Sequence, residues 1–305
     1  MGKQCYIQKN FRSETLDLIQ TIDEIIDEYT DQGYRLTVRQ LYYQLVARGI
    51  VENTERSYKR ITSTVNDAKM AGYLDWEAIE DRTREFIRSP RWESGSEILK
   101  SAAASFRMDM WANQERRVFV IVEKEALAGV LEGVCESYDV PLLAARGYPS
   151  GTVLREFAVS DLIPALSTTP KQAPYIIHLG DHDPSGIDMT RDLSERFFTF
   201  CTGDGEMKGI LPAGMFRRVA LTMEQIQDQR PPPNPAKTTD ARFRSYRQEY
   251  GDESWELDAL SPEFLTGLVR DHITTMIDWD AWKLRKDEVT EIRERLSSIA
   301  EKFDE

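Results

Sequence analysis

Apolar residues fall at helical intervals through the first quarter of the chain. Leu18, Ile22, Ile25, Ile26 and Tyr29 repeat at that spacing and predict a helix over 13–31, with Ser13 placed to cap it and Gly33 to end it. Acids line its outer face, the pattern of a packing helix or a dimer arm. Thr37 followed by Gln40 forms a capping box and opens a second helix that stops at Gly49. Val38, Leu41, Tyr42, Leu45 and Val46 share one stripe, which makes Tyr42 a core residue. Tyr43 falls off that stripe, beside Arg39 one turn earlier and Ala47 one turn later. A third helix spans 54–71, with Tyr58, Ile61, Val65 and Ala68 inward, Arg56, Lys59, Arg60 and Ser63 outward, and Gly72 closing it. Two helices joined by a short link, the second one basic, have the sequence shape of a helix-turn-helix or winged-helix module. Asp75 can cap a further helix through Trp76 and Ile79, and Arg82, Arg84, Arg88 and Arg91 continue the basic trend. Ser89, Pro90 and Ser94-Gly95-Ser96 predict a bend, and 98–114 a helical connector.

The pattern then changes to short apolar runs. Val118 to Val122 predicts a buried parallel strand ending at Glu123, followed by a helix through Leu127, Val130, Leu131 and Val134 and a strand over 140–145. Arg146-Gly147-Tyr148-Pro149 ends that strand. Tyr175 to Leu179 predicts another buried strand, which runs into Gly180 and the pair Asp181 and Asp183. Pro184, Ser185 and Gly186 turn the chain into a helix that Ser185 or Asp188 can cap. FRRVALT at 216–222 resembles a further strand. The run Pro231 to Pro235 reads as a structured loop or crossing arm, and 280–303 as a packing helix. The chain is therefore expected to be α/β: an N-terminal helical unit followed by a Rossmann-like unit with a mainly parallel sheet.

Composition narrows the function classes. The chain has 305 residues, 41% of them apolar, enough for one large domain or two modest ones. No apolar run reaches bilayer length and the first residues lack a signal-peptide core, so a cytoplasmic protein with no membrane partner is expected. Cys5, Cys135 and Cys201 have no metal-ligand spacing and read as free thiols. The net charge of −13 argues against a protein that coats nucleic acid. From Gly33 to Tyr73, however, seven basic residues (Arg35, Arg39, Arg48, Arg56, Lys59, Arg60, Lys69) outnumber three acids, a local net of +4. A basic module on an acidic body suits contact with DNA through one face, and Arg56, Lys59, Arg60, Lys69 and Arg146 are the expected contacts.

The candidate chemistry lies at the strand ends. Parallel strands about 4.8 Å apart would bring Glu123, Asp181 and Asp183 together, where their mutual repulsion calls for a hard divalent cation, Mg²⁺ with Mn²⁺ as a substitute. Acids at strand ends can also be solvated turn residues; the matching glutamate on a second strand favours a shared site. His182, between the two aspartates, reads as a solvent-facing turn residue or a phosphate contact. Arg146 is either a support for a scissile phosphate or a surface arginine, and Glu256 and Asp258 are either outer support for a metal or surface acids. Tyr43 is either an amphipathic residue at a domain edge or a nucleophile, with Arg39 holding the phosphate it attacks.

VIVEKEA at 120–126, ARGYP at 145–149, LGDHDPSGI at 179–187 and RQLYYQ at 39–44 resemble the topoisomerase VI A subunit family, which includes a meiotic double-strand-break relative. The resemblance implies a helical arm over 1–32, a winged-helix (CAP-like) domain over 33–97, a connector over 98–115, and a Toprim domain with a helical extension over 116–305. It implies Mg²⁺ held by Glu123, Asp181 and Asp183, with Glu123 taking part in catalysis, and cleavage and rejoining of double-stranded DNA through a tyrosyl intermediate on Tyr43, 5′-linked. It also implies a homodimer in which each tyrosine serves the other subunit's metal site. The chain is shorter than the usual A subunit and has no GxxxxGK[ST] loop, so strand passage would need a separate ATPase B subunit. The alternatives are a Toprim nuclease that hydrolyses DNA without the tyrosine, and a non-catalytic DNA-binding module.

Overall fold

The computed structural model describes residues 3–79, 89–167, 172–202 and 214–303. At its centre four parallel strands lie in the order β2-β1-β3-β4: β1 Arg116–Val122, β2 Leu142–Ala144, β3 Ala173–Leu179 and β4 Phe216–Ala220. The sheet is buried on both faces, as parallel sheets are. Val118, Val120 and Val122 point to one side with Ile177 and Leu179, and Phe119 and Ile121 point to the other with Ile176. The protein is thus α/β.

The N-terminal helices are α1 Ser13–Asp31, α2 Val38–Ala47 and α3 Glu55–Met70, whose apolar faces close over one core of their own. The predicted capping box is present on α2: the Thr37 hydroxyl accepts the Gln40 amide at 3.2 Å and the Gln40 side chain accepts the Thr37 amide at 2.8 Å. On α1 the cap position is Arg12, with no side-chain hydrogen bond, so Ser13 is the first helical residue and not the cap. Residues 75–79 form no helix. Ile79 instead makes a parallel bridge with Leu36, and the Asp75 carboxylate caps a tight turn by accepting the Glu77 amide at 2.9 Å. Arg82, Arg84 and Arg88 lie outside the described residues.

Helix α4, Gly95–Ser105, begins where a bend is expected, because the Ser94 hydroxyl accepts the Glu97 amide at 3.1 Å. It ends well before Gln114. Arg293 and Arg285 donate to the carbonyls of Phe106 and Asp109 at 2.9 and 3.2 Å, and Asp139 accepts the Met110 amide at 2.9 Å, so these backbone groups have partners outside a helix. Around the sheet come α5 Ala128–Ser137, α6 Gly151–Phe157 and α7 Ile163–Ser167, joined by a π-helical turn over Ala158–Leu162, then α8 Pro184–Thr202 and α9 Met223–Gln229. Beyond them lie the paired two-residue strands β5 Asn234–Pro235 and β6 Glu253–Ser254, with α10 Phe243–Tyr250 between them, and then α11 Pro262–Thr274 and α12 Trp279–Lys302. Among the described residues no helix is long and apolar enough to cross a membrane.

Candidate functional site

Strand pairing sets the acidic edge. Val122 of β1 lies opposite Leu179 of β3, so both strands release their chains at the same level, into Glu123 and Gly180. The Glu123 amide donates to the Leu179 carbonyl at 2.9 Å, and its carboxylate Oε2 accepts the Asp181 amide at 2.8 Å. Glycines stand on both sides of the aspartates, tightly placed at Gly180 and sterically required at Gly186. A Cβ on Gly180 would stand 3.0 Å from Glu123 Oε2, and one on Gly186 would stand 2.2 Å from the Asp181 carbonyl oxygen. The turn into α8 is capped by Asp183, whose Oδ1 accepts the Gly186 amide at 2.6 Å, and not by Ser185 or Asp188. Asp188 instead accepts from Tyr148, Arg191 and Arg242 at 2.8 to 2.9 Å.

Two cations hold this edge, and a third ties two acidic partners of Lys124 to α2. Arg218 of β4 is largely buried and donates to the carbonyls of Gly180 at 2.8 Å, Asp181 at 2.6 Å and Gly186 at 2.9 Å, so it fixes the loop that carries both aspartates. Lys124 stands 3.1 Å from Asp181 Oδ2, 2.7 Å from Glu256 Oε2 and 2.9 Å from Asp258 Oδ1. Arg39 reaches across from α2 to Glu256 and to Asp258. Its Nε lies 3.0 Å from Asp258 Oδ2, an ion pair whose angle is not that of a hydrogen bond. The Asp258 side chain is fully buried, so neither it nor the half-buried Glu256 is a free surface acid.

The titration of these groups follows from burial and sign. Burial raises the Glu123 pKa, and Asp183 adds to the rise. Burial also pushes Asp181 up to about 7, against the pull of Lys124. For Lys124 burial opposes the charge, but Asp258, Asp181 and Glu256 outweigh it and raise the pKa. Glu256 goes the other way: burial favours its neutral form, yet Lys124 and Arg39 hold it down to about 2.

Among the described residues no group of three or more His, Cys, Asp and Glu side chains is arranged to hold a metal ion. Glu123 and Asp183 each use one carboxylate oxygen in the hydrogen bonds above, whereas both oxygens of Asp181 are engaged, one by Lys124 and the other by the Leu257 amide at 2.7 Å. The donors are of the hard-oxygen kind that suits Mg²⁺, and the raised pKa values of Glu123 and Asp181 mark a place where a cation would be favoured. Lys124 supplies positive charge at that place.

Tyr43 lies beside Arg39, as the helical wheel expects, with the guanidinium 5.9 Å from the ring centre. It does not face solvent. Only 3% of it is exposed, because the C-terminal part of the chain covers this side of α2: Asn234 donates to its hydroxyl at 3.4 Å, and Ala259 joins the same core. Burial first, then Glu256, pushes its pKa up to about 12, in spite of Arg39.

The expected DNA contacts divide. Arg56, Lys59 and Arg60 are exposed on α3, Lys59 paired with Glu55 at 2.7 Å. Lys69 is turned to its own fold, donating to the carbonyls of Trp76 and Ile79 at 3.4 Å. Arg146 is exposed at the end of β2 and paired with Glu125. His182 fits neither role considered for it. It is 2% exposed, its Nδ1 lies 2.9 Å from the Tyr246 hydroxyl, and its backbone bridges to Trp255.

Arg218 was not singled out by the sequence pattern. The second arginine of FRRVA, next to the apolar Val219 and Ala220, is the available signal, since a charge on a strand that packs against a core needs partners. The joining of Lys124 to Glu256 and Asp258, 132 and 134 residues away, had no local signal. Comparison of the chain with protein-family models and with curated proteins finds no match.

Proposed function

We propose that the chain is a divalent-metal-dependent DNA-cleaving enzyme of the Toprim kind, working at the edge formed by Glu123, Asp181 and Asp183. The observation that carries this reading is the pairing of β1 with β3, which delivers Glu123 and the two aspartates to the same end of adjacent parallel strands. Ligands of open α/β sheets bind at that end. The four-stranded parallel sheet supports the Rossmann-like part of this reading, and the exposed Arg56 and Arg60 on α3 support contact with a phosphate backbone.

Glu123 and Asp183 would hold Mg²⁺ through their remaining oxygens, joined by Asp181 once it parts from Lys124. The ion would supply charge neutralisation at a phosphate and its leaving oxygen. Arg56 and Arg60 would bind the DNA backbone. In the strand-rejoining reading, the Tyr43 oxygen attacks phosphorus, the P–O3′ bond breaks, and the 3′-oxygen leaves with a proton. Reversal restores the strand, with a second subunit and a separate ATPase as the partners this reading implies. Such a step requires Tyr43 to become exposed and its proton to be removed.

A second reading, hydrolysis by an activated water, is favoured by the burial of Tyr43 and by its high pKa. One assay separates the two. Supercoiled DNA is incubated with the protein and Mg²⁺ and stopped with detergent. Protein-linked DNA that disappears in Tyr43→Phe supports transesterification; unlinked cuts that persist in Tyr43→Phe and disappear in Asp183→Asn support hydrolysis. Intact DNA in every arm refutes both.

A further inference from the structure

Away from the acidic edge, a cleft of about 450 Å³ opens between the link that follows α1 and the helices α5 and α11. Arg35 enters it from the link and Arg270 from α11. Both are exposed, and neither has an ion pair or hydrogen bond among the described residues, whereas Arg39, Arg146, Arg218 and Arg242 are all engaged. In a chain of net charge −13, two guanidinium groups from separate elements facing one cleft without a carboxylate partner form an anion-binding arrangement.

The floor of the cleft adds an independent argument. Gly129 and Gly133 lie one turn apart on α5 and both line it. Glycine inside a helix is unfavourable relative to alanine, and a close packing partner is the usual compensation. At Gly133 there is none: a Cβ there would meet no atom within 4 Å. The bare stretch of helix is open to something outside the chain. Tyr138 and Ser137 complete the wall with an aromatic ring and a hydroxyl. The volume is in the range of small-molecule sites, which favour junctions between structural units.

We infer that this cleft binds a phosphate ester, held by Arg35 and Arg270 over the glycine face of α5. The ester is either that of a free nucleotide or a backbone phosphate of bound DNA. No residue of the acidic edge lines the cleft, so the inference stands apart from the proposed cleavage activity.

The test uses the full chain and two probes, adenosine 5′-monophosphate followed by calorimetry and a labelled 20-base-pair duplex followed by fluorescence anisotropy at several salt concentrations. Arg35→Gln and Arg270→Gln are expected to weaken at least one probe by about tenfold each. If the ester is a backbone phosphate, the double variant also lowers the salt dependence of duplex binding by about two phosphate contacts. Gly133→Leu, which fills the floor and leaves both arginines in place, is expected to block the same probe while the protein still melts cooperatively. Loss of mononucleotide binding alone identifies a free nucleotide; loss of duplex binding alone identifies DNA. Affinities for both probes within twofold of wild type in the double arginine variant overturn the inference, as does failure of the wild type to bind either probe.

Discussion

The acidic edge and helix α2 were both marked by local pattern, yet they differ in how far the pattern reaches. Glu123, Asp181 and Asp183 are placed by backbone: two strands in register must release their chains side by side, whatever surrounds them. Tyr43 is placed correctly on its helix, but its surroundings come from residues 234 and 256–259. Register decides where a residue is, and long-range packing decides whether solvent reaches it. The two regions are joined by one ion network, in which Arg39 of α2 and Lys124 beside the edge share Glu256 and Asp258.

That junction is where the largest effect is expected. Asp258→Ala removes the fully buried carboxylate and leaves Lys124 and Arg39 short of a counter-charge, a loss of about 3–5 kcal/mol. Denaturant unfolding measures it. A loss under about 1 kcal/mol would mean that Asp258 is not what joins the two regions, leaving Glu256, the Asn234–Tyr43 hydrogen bond and apolar packing to do so.

The next effect depends on pH and concerns the edge by itself. The Asp181 pKa is raised to about 7, so the folded state holds a proton that the unfolded chain releases near pH 4. Its favourable contribution is complete below the unfolded value and is lost as pH rises through about 7. Relative to Asp181→Asn, wild type should therefore lose stability from pH 5 to pH 8, at no more than about 1.4 kcal/mol per unit. Taking the difference between the two proteins removes His178 and His182, whose lowered values act in the opposite direction. If the edge takes Mg²⁺, added Mg²⁺ should return stability to wild type at pH 8 and not to Asp181→Asn. A gap that does not change with pH would show that Lys124 keeps Asp181 ionised throughout.

These two cases show what was legible. The β1 and β3 strands, the acids after them, the capping box of α2 and the apolar stripe of α3 each depend on residues within a few positions of one another, and each is present. The helix expected from Asp75 failed because Ile79 finds a bridge to Leu36, 43 residues back, which no local propensity encodes. The connector helix stopped early because Arg285 and Arg293 of α12 serve its carbonyls. The outward side of Tyr43 became an inward side for the same reason. Amphipathic pattern identifies the first face that a helix buries, and a second covering segment leaves no period behind.

A smaller effect tests the edge without touching a charge. Gly186→Ala brings a methyl group to 2.2 Å from the Asp181 carbonyl, so the turn into α8 must shift. About 1–3 kcal/mol of destabilisation is expected, the range for overpacking. Because Arg218 bonds both the Gly186 and Asp181 carbonyls, the shift should also disturb the aspartates. Any Mg²⁺-dependent cleavage should fall more steeply than stability does. A variant that loses stability but cleaves as wild type would separate the turn from the site.

The smallest effect belongs to α2 and acts on the other side of the comparison. Thr37→Ala removes the hydroxyl that accepts the Gln40 amide and breaks one half of the capping box, a loss of about 1 kcal/mol by thermal unfolding. The informative part is local. Arg39 and Tyr43 sit in the first two turns of this helix, and Arg39 is tied to Glu256 and Asp258 at its other end. If the ion network holds the start of α2 in place, hydrogen exchange at the amides of α2 should rise no more than the global loss explains. If the cap holds it, α2 should exchange faster than the sheet, and Tyr43 should become reactive to a phenol-modifying reagent while β1 and β3 stay protected. The second outcome would show that the tyrosine can be uncovered without unfolding the acidic edge, which is the motion that the strand-rejoining reading needs.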